Sequence, residues 1–352
     1  MSLNIPLLKE ICETPGAPGH EYRIRRVVRR EVAGLVDRHE TDAMGNLITF
    51  KKGRSDKKVM IAAHMDEISF MIKHVDEDGF AYVHTLGGFD PKTLTAQRVI
   101  VHGKEDVMGV MGSKPIHIMT PEERTKPPKI DDYFIDFGRP AKEVLELVSV
   151  GDVVTRERTL IEMGECVNSK SIDNRVSVFI LLEALRRLKN PAFDVYGVFT
   201  VQEEIGLRGA HVASHTLNPD FAIGLDTTIA FDLPGANDQE MCTQLGKGTA
   251  IKIMDSSVVC DPRMVDCLRK TADKHKIKWQ NELLPRGGTD TGAMQRSGKM
   301  GAIAGCISIP TRHIHSVIEM AHKGDIQASI DLLVAILEDL DTYNFDWESW
   351  KA

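Results

Sequence analysis

The chain changes texture twice along its length. Up to about residue 67 and again from about residue 164, strand-like apolar runs alternate with helical stretches, whereas residues 68–163 string short strand candidates together with little helix between them. The first part offers helices in IPLLKEICE and YRIRRVVRREVAGL, then strands in NLITF and KVMIAAH. The last part offers a helix in DNRVSVFILLEALRRL, a strand in DVYGVFTV, a helix around LRGAHVASH, strands in FAIGLD and AIAGCIS, and a helical tail in DIQASIDLLVAILEDL. Such alternation predicts an α/β domain with a mostly parallel, helix-covered sheet, built from residues 1–67 and 164–352. The middle segment, with SFMIKHV, FAYVHTL, QRVIVHG, VMGVM and DVVTRE separated by turns such as DEDG, GGFDP and HGKED, predicts a small inserted β-rich domain over 68–163. Within it, TPEERTKPPK at 120–129 reads as a mobile surface loop.

Composition removes several function classes. At 352 residues, 42% apolar and 27% charged, the chain can bury a sizeable core and is neither disordered nor fibrous. Lys and Arg number 44 against 51 acids, a net charge of −7, so nothing electrostatic favours a nucleic-acid partner. No apolar stretch reaches the roughly 20 residues that span a bilayer, and Lys9 and Glu10 interrupt the start before a signal-peptide core develops. A cytoplasmic protein without a membrane partner is expected. The cysteines at 12, 166, 242, 260, 267 and 306 form no CxxC pair and suit reduced packing residues.

In open parallel sheets, ligands bind beyond the carboxyl ends of the strands. Here those ends carry hard ligands. KVMIAA leads to His64 and Asp66, VYGVFTV to Glu203 and Glu204, FAIGL to Asp226, and AIAGCISIPTR to His313 and His315. Asp173 opens a strong helix, where it could cap backbone N–H groups or serve a site. Singly, each has an ordinary reading as a solvated or capping residue, but five element ends presenting His or carboxylate on one side of a sheet point to a metal centre. Imidazoles and carboxylates without thiolates suit Zn²⁺, Co²⁺ or Mn²⁺. Their number fits two ions, which need a shared carboxylate, about two further ligands each and an unligated carboxylate to take a proton from water. Adjacent residues of extended chain point to opposite sides, so Glu203 and Glu204 divide these tasks, one holding metal and the other handling the proton. His313 and His315 compete for the last ligand position.

Taken together, AAHMDEISFMI, GGFDPKTLTAQRV, GVMGSKP, SIDNRVS, TVQEEIGLRGA, LGKG, GGTDTGA and PTRHIHS resemble the cocatalytic metalloaminopeptidases that assemble as tetrahedral dodecamers, the glutamyl/leucyl aminopeptidase group often labelled endoglucanase or cellulase. The resemblance runs from about residue 5 to about residue 340 in unbroken motif order. It implies a zinc-peptidase, phosphorylase/hydrolase-like catalytic domain carrying a PDZ-like assembly insertion, with dimers building a dodecamer. It also implies that His64, Asp173 and Asp226 hold one ion, that Asp173, Glu204 and His315 hold the other, and that Glu203 is the general base. Asp66 would orient His64 through its second ring nitrogen. Peptides with a free N-terminus would be the substrates. Two rival expectations are a metal-independent glycoside hydrolase using Glu203 as acid or base, and an inactive metal-binding assembly protein.

Overall fold

A computed structural model describes residues 3–351. Four strands, Phe193–Thr200, Ser55–His64, Phe221–Ile229 and Ile303–Arg312, lie side by side and parallel at the centre of an eleven-stranded sheet. Their side chains serve two cores in alternation. On Ser55–His64, Val59, Ile61 and Ala63 join the larger core with the helices Ile5–Glu13, Tyr22–Val32, Ile172–Arg187, Pro262–Lys274 and Lys323–Asp339. Met60 and Ala62 face the other way, toward residues of the helices Arg208–Leu217 and Asp290–Arg296. Both sides of the centre are therefore covered, which is why its strands read as continuous apolar runs. Helix Ile172–Arg187 is buried from Ile172 to Leu185, as an all-round apolar helix must be.

The expectation of a mostly parallel sheet holds for this centre and for one edge pair. Arg38–Thr41 and Leu47–Lys51 form a hairpin that adds antiparallel to Phe193–Thr200. On the other flank, Glu319–His322, Cys166–Ser169 and Ile161–Met163 continue from Ile303–Arg312 as an antiparallel ladder. Thr249–Met254 also joins Ile303–Arg312 antiparallel and carries the parallel edge strand Trp279–Leu283. The sheet is mixed because a parallel neighbour needs a crossover of a dozen or more residues, and links as short as residues 42–46 permit only a hairpin.

The middle segment forms a closed barrel of six strands: Ser69–Val75, Ala81–Leu86, Tyr133–Asp136, Asp106–Ser113, Arg98–His102 and Val153–Arg156. All its pairings are antiparallel, and Phe70, Ile72, Val99, Val101, Ile135 and Val154 fill a separate core. The exposed stretch 120–129 contains a helical turn, Pro121–Thr125, with a capping box between Thr120 and Glu123, so it is more than the loop expected. Among the described residues no helix is long and apolar enough to cross a membrane.

Parallel packing brings the carboxyl ends of the four central strands to one edge. His64 pairs with Thr200 there, and the chain then leaves the sheet through Val201 toward Glu203. Gly209 secures that exit. Its N–H donates to the Val201 carbonyl (3.0 Å), its carbonyl accepts from Asn46 Nδ2 (3.0 Å), and Asn46 Oδ1 accepts from Val201 N–H (3.1 Å). A Cβ at this position would stand 2.3 Å from Asn46 Oδ1 and 2.5 Å from the Val201 carbonyl oxygen. We expect Gly209→Ala to lower stability by about 1–3 kcal/mol through overpacking. Denaturant unfolding checks this, and an unchanged midpoint would contradict it.

Candidate metal centre

The strand ends converge as the sequence suggests, with one difference in detail. His64 ends its strand, Glu203 and Glu204 follow Thr200 by three and four residues, but Asp226 lies within its strand, which continues to Ile229. Asp173 does not cap its helix. It is the second helical residue, with non-helical torsions (φ −74°, ψ 109°), and its carboxylate faces two imidazoles. Asp173 Oδ1 lies 3.4 Å from His64 Nε2, and Asp173 Oδ2 lies 3.3 Å from His315 Nε2.

The adjacent acids separate in the same way. Glu203 Oε2 is 3.7 Å from His64 Nε2, whereas Glu204 Oε2 is 3.8 Å from His315 Nε2. Asp226 Oδ1 completes the His64 side at 3.7 Å. Ligand atoms of His64, Glu203 and Asp226 lie within 4.8 Å of one another, as do those of His64, Asp173 and Glu204. His313 is exposed, and it is His315 whose ring meets Asp173 and Glu204. The backbone decides between the two histidines: both take left-handed torsions (φ 58° and 62°), so the stretch is not extended and they do not share a side.

Three carboxylates hold the backbone that carries these side chains. Asp66 Oδ1 accepts the Glu203 N–H and Asp66 Oδ2 accepts the Glu204 N–H, both at 3.1 Å. Glu21 Oε1 accepts the N–H of Gln202 at 3.1 Å, so the turn is clamped at three successive residues. Glu319 does the same for the other side, accepting Asp173 N–H at 2.9 Å and His315 N–H at 2.8 Å. Asp66 also lies at His64 Nδ1, its main-chain oxygen at 3.2 Å and its carboxylate at 3.5 Å. Glu21 and Glu319 carry no sequence motif of their own, because they act through backbone amides. Sequence reading passed over both, and over Asp290, buried beside the cluster, with one oxygen on Thr200 Oγ1 at 2.5 Å and the other without a partner.

Burial dominates the electrostatics. It pushes Glu204 up to about 8, Glu319 to about 8, Asp290 to about 7 and Asp226 to about 6, and Glu203 well above the usual carboxylate range. Asp173 runs the other way: burial opposes ionisation, but hydrogen bonds with His315 and His64 hold it below that range. For His315 burial favours the neutral ring, yet Asp173 and Glu204 raise it to about 10. The cluster holds more negative charge than its two imidazoles can offset. Oxygen and nitrogen donors, no thiolate, and a buried Glu204 Oε1 without a partner make a donor set that fits hard divalent cations.

These shifts fix a pH dependence for the metal-free protein. Between the ordinary value of 4.5 and about 8 the native state binds more protons on Glu204 and Glu319 than the unfolded chain does, so stability falls as pH rises through that window. His315 extends the trend, because its raised value lets the native state keep a proton from 6.5 up to about 10. The melting temperature of the metal-free protein is expected to drop as pH rises from about 5 to about 9. Saturating divalent cation, which competes with protons, is expected to flatten or reverse the slope. A melting temperature that climbs with pH in the metal-free state would contradict the assembled cluster.

A family model described as M42 glutamyl aminopeptidase matches residues 45–332. The lysyl aminopeptidase of Pyrococcus furiosus is 35% identical over 350 residues, covering 96% of this chain and 98% of its own. Among solved structures, aminopeptidase APDkam598 from the archaeon Desulfurococcus kamchatkensis matches with a TM-score of 0.91 at 37% identity, over 95% of this chain and 94% of that one. The Pyrococcus horikoshii TET1 peptidase, which can assemble into a tetrahedron or a large octahedral shell, matches with a TM-score of 0.84 at 31% identity, over 95% and 98%. Agreement of family model, relatives and fold over nearly the whole chain shows that it belongs to the M42 glutamyl aminopeptidase family, as a metal-dependent aminopeptidase.

Proposed function

We propose that the chain releases N-terminal residues from peptides at a dinuclear centre, with Asp173 as the carboxylate shared by two divalent cations and Glu203 as the general base. One observation carries this reading: the two oxygens of Asp173 face different imidazoles, at 3.4 and 3.3 Å. His64 and Asp226 would complete one site, and Glu204 and His315 the other. Zn²⁺ or Co²⁺ suit these donors best, and Mn²⁺ is also compatible. Bound there, two such ions supply Lewis-acid polarisation of the scissile carbonyl and acidify a water.

The chain's own residues do the rest. Glu203 is buried, its backbone is held by Asp66, and burial raises its proton affinity. A carboxylate so placed takes the proton from the attacking water and delivers it to the leaving nitrogen. The cavity beside the cluster has a volume of about 490 Å³ and is bordered by Leu207, Ile229, Leu284 and Ile314, room for the end of a peptide. Glycoside hydrolysis has no use for two imidazoles within 4 Å of the carboxylates.

The finer architecture is part of the same reading. Residues 1–67 and 164–352 form a zinc-peptidase-like catalytic domain, and residues 68–163 a PDZ-like insertion through which dimers build a dodecamer. The relative that forms tetrahedral and octahedral shells supports it. A reducing, cytoplasmic setting fits the six free cysteines.

Two experiments test these assignments. Glu203→Gln keeps shape and ligands, so it is expected to bind two ions normally and to lose about 10²–10⁴-fold in kcat. Glu204→Gln is expected to weaken one ion and to recover part of its activity in excess metal. Titrating both variants with Co²⁺ while following turnover separates them, and metal rescue of Glu203→Gln instead would reverse the roles. Replacing residues 68–163 by a short linker is expected to abolish the large oligomer in light scattering. An unchanged mass would place the assembly contacts on the sheet domain.

A further inference from the structure

Arg156 is the last residue of the barrel strand Val153–Arg156, yet it reaches the main chain of the sheet domain. It is 1% exposed, and its Nη1 donates to the main-chain carbonyl of His315 at 3.2 Å. Its Nε and Nη2 are buried without hydrogen-bond partners. Packing alone does not explain a buried guanidinium with so few hydrogen bonds, since desolvating it is unfavourable unless nearby charge compensates. Burial holds the guanidinium below its usual range, and the carboxylates Glu319, Glu67, Glu204 and Asp173 of the sheet domain offset part of that cost. Its guanidinium lies 5.4 Å from the Phe89 ring centroid, and Phe89 stacks on Phe70 of the barrel core at 4.3 Å.

His315 needs such support. Its left-handed backbone (φ 62°) is disfavoured for a residue with a Cβ and persists only where surrounding contacts over-determine it. Both polar groups of its backbone are held, the N–H by Glu319 of the sheet and the C=O by Arg156 of the barrel. The barrel also borders the ring, for a Cβ on Gly88 would stand 3.6 Å from His315 Nδ1. We propose that Arg156 is a positioning residue through which the inserted barrel fixes the His315 segment, so that the insertion is a working part of the metal centre as well as an assembly unit.

This inference rests on the dinuclear reading above, and its test keeps the two apart by measuring metal binding without turnover. Calorimetric titration of the metal-free full-length protein with Zn²⁺ is the readout. If the wild type fails to bind two ions, the dinuclear reading itself falls. Given two ions in the wild type, Arg156→Met, which keeps bulk and removes charge and donors, is expected to bind one ion about 10–100-fold more weakly and the other within a few-fold of normal. Arg156→Lys keeps the charge but not the planar fork, so it is expected to loosen the same ion by less, a graded rescue that a space-filling role would not produce. Should Arg156→Met fail to fold, Arg156→Lys decides alone, with selective loosening of one ion as the expected result. Wild-type affinity for both ions in the folded variants, or equal weakening of both, would overturn the proposal.

Discussion

Mutual repulsion among carboxylates is the constraint around which this molecule is arranged. Asp66, Asp173, Glu203, Glu204, Asp226, Asp290 and Glu319 gather at one edge of a sheet, and all but Glu204 are less than a tenth exposed. No packing gain follows from such a gathering, and burial pushes most of them toward the protonated form. A fold that keeps them together needs positive charge in the middle, which is what the proposed pair of divalent cations would provide. Parallel topology makes the gathering possible, because it sends the carboxyl ends of the four central strands to one edge.

Apart from Asp290, which accepts from the Thr200 hydroxyl, the acids divide into those that face imidazoles and those that face amides. Asp173, Glu203, Glu204 and Asp226 lie against His64 or His315, whereas Asp66 and Glu319 spend both oxygens on backbone N–H groups of those residues or their neighbours. Backbone amides are fixed partial charges that stabilise a carboxylate without a mobile counter-charge. Asp66 therefore shapes the Glu203–Glu204 turn, and Glu319 ties Asp173 to His315 across 146 and 4 residues of chain. Through these clamps the main chain under Asp173, Glu203, Glu204 and His315 is held by buried carboxylates.

Much of the cluster was legible in the sequence because strand ends mark themselves: an apolar run stops, and the next polar residues fall at the sheet's edge. His64, Glu203, Glu204 and Asp226 were found that way. Asp173 could be placed but not oriented, since its carboxylate looks the same as a cap until the partner histidines are in position. Between His313 and His315 the residue pattern left the choice open and only the family resemblance pointed to His315, since nothing in RHIHS announces two left-handed residues without glycine. Glu319 and Arg156 were invisible because they act on main-chain atoms, which no side-chain pattern marks. The antiparallel flanks escaped too: Ile161–Met163 and Cys166–Ser169 are too short for periodicity to register. Helix Pro262–Lys274 did carry a signal, an Asp261 cap followed by proline, which the reading passed over.

In the proposed dinuclear centre Asp173 is shared between the two sites. Metal content of purified Asp173→Ala, measured by elemental analysis after dialysis against trace Zn²⁺, tests this most directly. Sharing predicts that both ions are lost together, because each depends on that carboxylate and repulsion among the remaining acids is only partly offset by one. Retention of two ions per subunit by a folded Asp173→Ala protein would contradict it.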